Sequence, residues 1–267
     1  MLNLVNPDIS DCYNPFFYIK NETDVQRLVT NVFKAVVPKG SQSADPFWDI
    51  TASMLLSALI FYLREKAPEE EQNFEMVLEM LHEAKVSEDG NGRNKQNVLD
   101  VLFEQLEMEN EDHIALKYYK AYHSGAGKTL QSINVTLESK LEKFNQSSMA
   151  RLTATDELNL RSLGERKTAL YAIIPDNDTS VSFFISILYT QLFQELFYLA
   201  DYKYKGALPI PVHFIMDEFA NVALPDDFDK ILSVMRSRNI SASIILQNLA
   251  QIKALFEKQW ESILRKL

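Results

Sequence analysis

Cysteine is almost missing from this chain: Cys12 stands alone among 267 residues, which excludes an internal disulfide and any zinc site built on cysteine. Histidine is scarce as well, and His82, His113, His123 and His213 are too scattered to show metal-ligand spacing. Long uncharged apolar runs are lacking. The strongest, Met54 to Leu63, is too short to span a bilayer, and Val181 to Ala200 is interrupted by Gln191, Gln194 and Glu195. The N-terminus has no positively charged start followed by an apolar core, so it does not read as a signal peptide. Nor is there an internal repeat or a low-complexity linker. The chain by itself is therefore expected to be soluble, with enough apolar content to fill one large domain or two ordinary ones.

Negative charge is what the chain has in excess, and it is concentrated. Of the formal net charge of −10, the segment Glu65 to Asp112 carries 15 acidic and 4 basic residues, leaving 22 acidic and 23 basic elsewhere. Helical periodicity within it predicts two helices, about Asn73 to Ala84 and Asn97 to Glu109, separated by a loop at Ser87 to Asn94 where Gly90, Asn91 and Gly92 cluster. Such a run is either a solvated helical surface or a docking face for basic proteins. It would repel DNA phosphates.

The chemistry is concentrated further on. Phe214-Ile215-Met216-Asp217-Glu218 is an apolar run ending in two adjacent carboxylates, and it reads as a buried parallel strand, Pro211 to Met216, with acids delivered at its C-terminal end. That is the layout of a Walker B motif, in which the first acid helps hold magnesium on nucleotide phosphates and the second positions the attacking water. The bland alternative is a solvated strand end. Phe228, Ile231, Leu232 and Met235 have helical spacing within Asp226 to Ser237, Asn239 suits the end of that helix, and Ile240 to Leu246 reads as a second buried strand followed by Gln247. A strand, a crossover helix and a strand make a parallel βαβ unit, which places Asp217, Glu218 and Gln247 on one edge. Ala169 to Ile174 reads as a further parallel strand, followed by a helix from about Thr179 to Leu199. Arg236 and Arg238 fall at a helix C-terminus, where the macrodipole favours cations, and both could simply cap it.

The segments His213 to Asn221, Arg236-Ser237-Arg238-Asn239-Ile240 and Leu246-Gln247 resemble the C-terminal half of the motor domain in type IV secretion coupling proteins, the TraG/TraD-like conjugative DNA-transfer ATPases. Asn14-Pro15-Phe16, Asp45-Pro46-Phe47-Trp48 before Met54 to Leu63, and Leu170 to Pro175 are similar to that family too. The resemblance implies an α/β fold, a RecA-like P-loop NTPase core with a largely parallel sheet and an inserted all-α domain. It divides the chain into a first part of the nucleotide-binding domain at 1–67, an all-α insertion at 68–150 and a second part at 151–267. It implies ATP and Mg2+ as cofactors, with Asp217 on the metal, Glu218 on the catalytic water, Gln247 sensing phosphate, and Arg236 as a finger reaching a neighbouring subunit's nucleotide from the same sheet edge as Asp217. The implied partners are single-stranded DNA, a relaxase with its accessory proteins, and secretion-channel components. The implied assembly is a homo-hexamer at the cytoplasmic face of the bacterial inner membrane, tethered by a transmembrane segment; the alternatives are a non-catalytic substrate-recruitment module and a different RecA-like DNA motor.

The family's phosphate-binding loop belongs before Asn14-Pro15-Phe16, where only Leu2 to Val5 reads as strand, so that loop is expected to be missing. Gly125-Ala126-Gly127-Lys128-Thr129 imitates the end of such a loop. Tyr122 occupies its first glycine position, and Ile114 to Tyr122 reads as helix, so no strand delivers backbone N–H groups to a phosphate. Leu130, Ile133, Leu137 and Leu141 continue as an amphipathic helix. At the far end Ile252, Leu255, Phe256, Trp260 and Ile263 predict one more helix, ending at Leu267. Further strands follow in the family, and the resemblance implies a chain cut short at both ends.

Overall fold

A computed structural model of the chain describes residues 1–35, 46–84, 96–175, 181–219, 228–256 and 260–265. The loop expected at Ser87 to Asn94 and the start of the helix expected from Asp226 lie outside the described residues. The chain divides into two compact units, a helical unit at Asp11–Glu157 and an α/β unit made of Met1–Ser10 and Leu158–Leu267. The boundary drawn near residue 67 thus falls inside the helical unit, and the one near 150 lies shortly before the joint at 157.

The helical unit contains α1 (Glu22–Ala35), α2 (Pro46–Lys66), α3 (Phe74–Glu83), α4 (Val98–Glu109), α5 (Ile114–His123), α6 (Gly127–Leu141) and α7 (Ser147–Ala154). Its start signals are local. Asn73 caps α3 by accepting the Met76 N–H at 2.9 Å, and Asn97 with Asp100 forms a reciprocal capping box on α4. The helix α2 is the central pillar, with Leu55, Leu56, Leu59, Ile60 and Leu63 buried and neighbours α1, α3, α5 and α6 packed around it. It outgrows the apolar run Met54 to Leu63, because Pro46 suits a first helical turn and Arg64 and Lys66 complement the C-terminal dipole. At 21 residues it is long and apolar enough to cross a bilayer, as is the segment Ser182–Lys203. Half of the first apolar window and about two thirds (67%) of the second are buried within the protein, as in core helices.

Asn14-Pro15-Phe16 ties the helical unit together. The Asn14 side chain accepts the Phe16 N–H at 3.0 Å and donates to the Gln72 carbonyl at 2.9 Å. Phe16 packs edge-on against Phe74, whose ring stacks on Phe144 with centroids 3.9 Å apart. Nearby, the two chain segments that enter and leave the unit clasp each other: the Tyr13 N–H donates to the Leu152 carbonyl at 2.7 Å, the Cys12 N–H to the Glu157 carboxylate at 2.7 Å, and the Glu157 N–H to the Cys12 carbonyl at 2.9 Å.

The α/β unit holds two parallel strand pairs. β1 (Leu2–Asn3) pairs with β2 (Ala172–Ile173), shorter than the run Ala169 to Ile174. After β2 comes α8 (Ser182–Tyr198), prolonged by a π-helical turn, Leu199–Lys203. Next, β3 (Val212–Met216) and β4 (Ile240–Ile244) lie parallel in the register Val212↔Ile240 to Met216↔Ile244, joined by α9 (Phe228–Met235). Two short helices, α10 (Leu249–Leu255) and α11 (Trp260–Leu264), take the place of the single helix expected there. Phe214 and Met216 are buried, with Phe214 4.8 Å from Phe193 of α8.

The strands β3 and β4 are not buried on both faces as expected. His213, Ser241 and Ser243 are exposed, as is Ile215 at 71%. The imidazole of His213 lies 2.7 Å from the Ser241 hydroxyl and 3.0 Å from that of Ser243, so polar side chains satisfy one another along this open face.

Replacing Asn14 tests the tie. Asn14→Ala removes a cap and leaves the Gln72 carbonyl without its donor, and should lower stability by about 2–3 kcal/mol in urea unfolding. Asn14→Asp keeps the acceptor and should lose less. Equal losses would mean that the cap on the Phe16 N–H contributes nothing and that the whole effect lies in the Gln72 contact.

Candidate functional site

At the C-terminal ends of β3 and β4 the chain turns sharply twice. After Met216 the backbone enters a tight turn in which Glu218 adopts φ +47°, and the Phe219 N–H then bonds the Ile245 carbonyl of the neighbouring strand at 3.2 Å. Such a left-handed conformation costs a residue with a Cβ roughly 1–2 kcal/mol. Phe219 fastens the turn, since it is fully buried beside Phe228 and Phe256. Asp217 is exposed, and one of its carboxylate oxygens accepts the Glu218 N–H at 3.0 Å.

Across the strand pair, the Gln247 side-chain amide donates to the Glu218 carboxylate, 3.0 and 3.1 Å from its two oxygens. Gln247 is itself held: its N–H donates to the Gln251 side chain at 3.0 Å, and the Gln251 N–H donates to Asn248, the cap of α10. The spacing Asn248-x-x-Gln251 is a helix-start signal of the capping-box type, so the support for Gln247 was readable but was not read.

The structure thus brings Asp217, Glu218 and Gln247 together. Arg236 lies elsewhere. It opens a 3₁₀ turn, Arg236–Arg238, that follows α9 and precedes β4, so it stands at the N-terminal edge of the strands, a full strand length of roughly 13 Å from Asp217. The expectation that it shares the edge of Asp217 is corrected here for a simple reason: a helix crossing between parallel strands runs back along them and ends where they begin. Its neighbour Arg238 does cap α9, donating to the Val234 carbonyl at 3.0 Å, and also forms a two-pronged bond to Asp201 with both contacts at 2.9 Å.

The loop-like sequence Gly125 to Thr129 joins two helices. α5 leads into it, α6 begins at Gly127, and Tyr122 is buried with its hydroxyl donating to Asn134 at 2.8 Å. Lys128 is exposed. Among the described residues no group of three or more His, Cys, Asp or Glu side chains could hold a metal by itself. Asp217 alone fits a different demand, because magnesium takes one or two carboxylates and completes its shell with water and phosphate oxygens.

Residues 1–265 match the family model for type IV secretory system conjugative DNA transfer. The chain belongs to this family. The fold agrees, since the chain superimposes on the bacterial conjugative coupling protein TrwBdeltaN70 with a TM-score of 0.61 at 18% identity, covering 98% of this chain and 55% of that one. It is similar in the same way to the plasmid coupling protein TrwB in complex with ADP and Mg2+, with a TM-score of 0.59, 18% identity and 98% and 56% coverage. The complex of TrwB with the non-hydrolysable ATP analogue ADPNP gives the same values. This transfer-family chain therefore spans a little over half the length of those solved chains. No curated protein gives a significant sequence match.

The strained turn generates a stability test. At position 218 glycine should be more stable than alanine by about 1 kcal/mol, because only glycine adopts positive φ freely. Thermal melts of Glu218→Gly and Glu218→Ala compare the two directly, and an alanine variant as stable as the glycine variant would show that the turn carries no strain.

Proposed function

We propose that this chain is part of a conjugative coupling ATPase that recruits DNA–protein substrates to a type IV secretion channel and drives DNA translocation by ATP hydrolysis. The observation that carries the reading is the Glu218–Gln247 contact beside Asp217 at the C-terminal ends of two parallel strands, where open α/β folds bind ligands. The capture of TrwB with ADP and Mg2+ supports it. In this reading the α/β unit belongs to a RecA-like nucleotide-binding core and the helical unit is its all-α insertion.

Asp217 would hold magnesium on the phosphates of ATP, and that ion supplies charge neutralisation there. Glu218 positions the attacking water. The Gln247 amide holds the Glu218 carboxylate, and a terminal phosphate competing for that amide would free Glu218, so the pair senses an occupied site. Arg236, at the far edge, cannot serve its own chain's nucleotide and would act in trans within a hexamer. The helical unit contains 24 acidic and 15 basic residues, which favours a basic protein, such as a relaxase or accessory protein, over nucleic acid as its partner. The assembly works at the cytoplasmic face of the membrane.

In the intact protein Glu218→Gln should leave nucleotide binding unchanged while suppressing hydrolysis by about 100-fold or more. Lys128→Ala should not alter ATP affinity. Equilibrium binding of a fluorescent ATP analogue and a phosphate-release assay read both, and loss of ATP binding in Lys128→Ala would move the phosphate site to the helical unit.

A mixing experiment examines Arg236. Arg236→Ala and Glu218→Gln proteins, each inactive, should regain part of the ATPase activity when combined, because some interfaces of mixed rings hold both groups. Mixed rings without any recovery would remove Arg236 from the mechanism.

A further inference from the structure

The N-terminal edge of β3 and β4 gathers exposed rings and, besides Arg236, cations to which the proposed nucleotide chemistry gives no role. Here the π-helical turn Leu199–Lys203 ends α8, and the segment after it is tied to the strands: the Leu208 N–H bonds the Arg238 carbonyl, the Val212 N–H that of Asn239, and the Ile210 N–H that of Gly164, all at 3.1 Å. On the turn, Tyr198 and Tyr202 are 47% and 78% exposed, with ring centroids 5.0 Å apart. π-helical turns recur at functional sites, and Tyr202 on this one presents most of its ring to water.

Cations flank the rings. Lys203 and Tyr204 both bond Glu165, which fixes the turn against the loop that carries Arg166. Arg166, Lys203 and Lys205 are exposed, and so is Arg236 on the adjoining 3₁₀ turn. Arg166 and Lys205 have no ion-pair partner among the described residues. The α/β unit as a whole contains 12 basic and 13 acidic residues, so this is a local concentration of positive charge on a nearly neutral unit.

We infer that this edge is a contact surface for single-stranded DNA, with bases stacking on Tyr202 and Tyr198 and phosphates meeting Lys205, Lys203 and Arg166. Unpaired bases offer a face to an exposed ring, which paired bases in a duplex do not, and flanking cations follow the backbone. The inference rests on the DNA-transfer reading and specifies where the strand touches the chain. It also gives the two sheet edges different roles, the acidic one directed to the chain's own nucleotide and the basic one to the strand and, through Arg236, to a neighbour's nucleotide.

The test is fluorescence anisotropy of a labelled oligo(dT) strand of about 20 nucleotides with the full chain at low and moderate salt. Tyr202→Ala should weaken binding about 5- to 100-fold, while Tyr202→Phe, which keeps the ring, should bind as the parent does. Lys205→Glu should weaken binding at low salt and flatten its salt dependence. A duplex of equal length should bind more weakly and be indifferent to Tyr202→Ala. Since Tyr202 is mostly exposed, thermal melts of these variants should match the parent and exclude unfolding as the cause.

No binding of oligo(dT) by the parent chain, or equal binding by Tyr202→Ala, would overturn the inference. So would a Tyr202→Ala variant that changes only self-association in sedimentation, which would make the edge a contact between copies of the chain. None of these results touches the hydrolysis defect expected of Glu218→Gln, so the two readings fail separately.

Discussion

Parallel pairing of β3 with β4, in the register that sets Met216 beside Ile244, is the constraint on which the candidate site depends. A slip of one residue would turn Phe214 and Met216 out of the core and bring Ile215 and His213 in. It would also break the reach of Gln247 to Glu218. The aromatic side chains behind the strands hold that register: Phe193, Phe228 and Phe256 lie against Phe214 and Phe219, so the hydrophobic face of a short sheet determines where two polar groups meet. The left-handed backbone at Glu218 is tolerated because Phe219 is anchored immediately after it.

The strand pair is electrically polar along its length. Carboxylates stand at the C-terminal ends and cations at the N-terminal ends, separated by a single strand length, and each cluster owes its place to chain direction. The acids follow a strand and the arginines follow the helix that returns between the strands. Arg238 shows that a cation at a helix end is fully engaged in structure when it caps the helix and pairs with Asp201, whereas Arg236, two residues earlier, is exposed and makes no such bonds among the described residues.

Much of this was legible in the sequence. Apolar runs ending in Asp217-Glu218 and Gln247 identified two parallel strands and their shared edge, and Asn73 and Asn97 announced two helices to within a residue. The helix α1 was missed although Asn21 accepts the Asp24 N–H at its start, because its apolar residues Val25, Leu28, Val29 and Val32 carry no chemical motif to draw attention. The open face of β3 and β4 was missed for a different reason. Ile215 and Ile245 make the runs look apolar throughout, and only the alternation of His213 with Phe214 and of serines in β4 records that one face is polar. The place of Arg236 was readable from helix direction alone. The meeting of Lys203 and Tyr204 with Glu165 was not, since these residues are far apart in sequence and no motif links them.

The clasp between residues 12–13 and 152–157 has a consequence for chain connectivity. The helical unit leaves and rejoins the chain at one point, between β1 and β2, so 147 residues are spliced into a sheet without separating its strands. The entropy of bringing β1 to β2 is then met by the folding of the helices and the closure of their own base, and it grows only by about 0.6 kcal/mol for each doubling of the excursion. A module joined this way is free to lengthen, shorten or change its surface over evolution while the pairing of β1 with β2 stays constant.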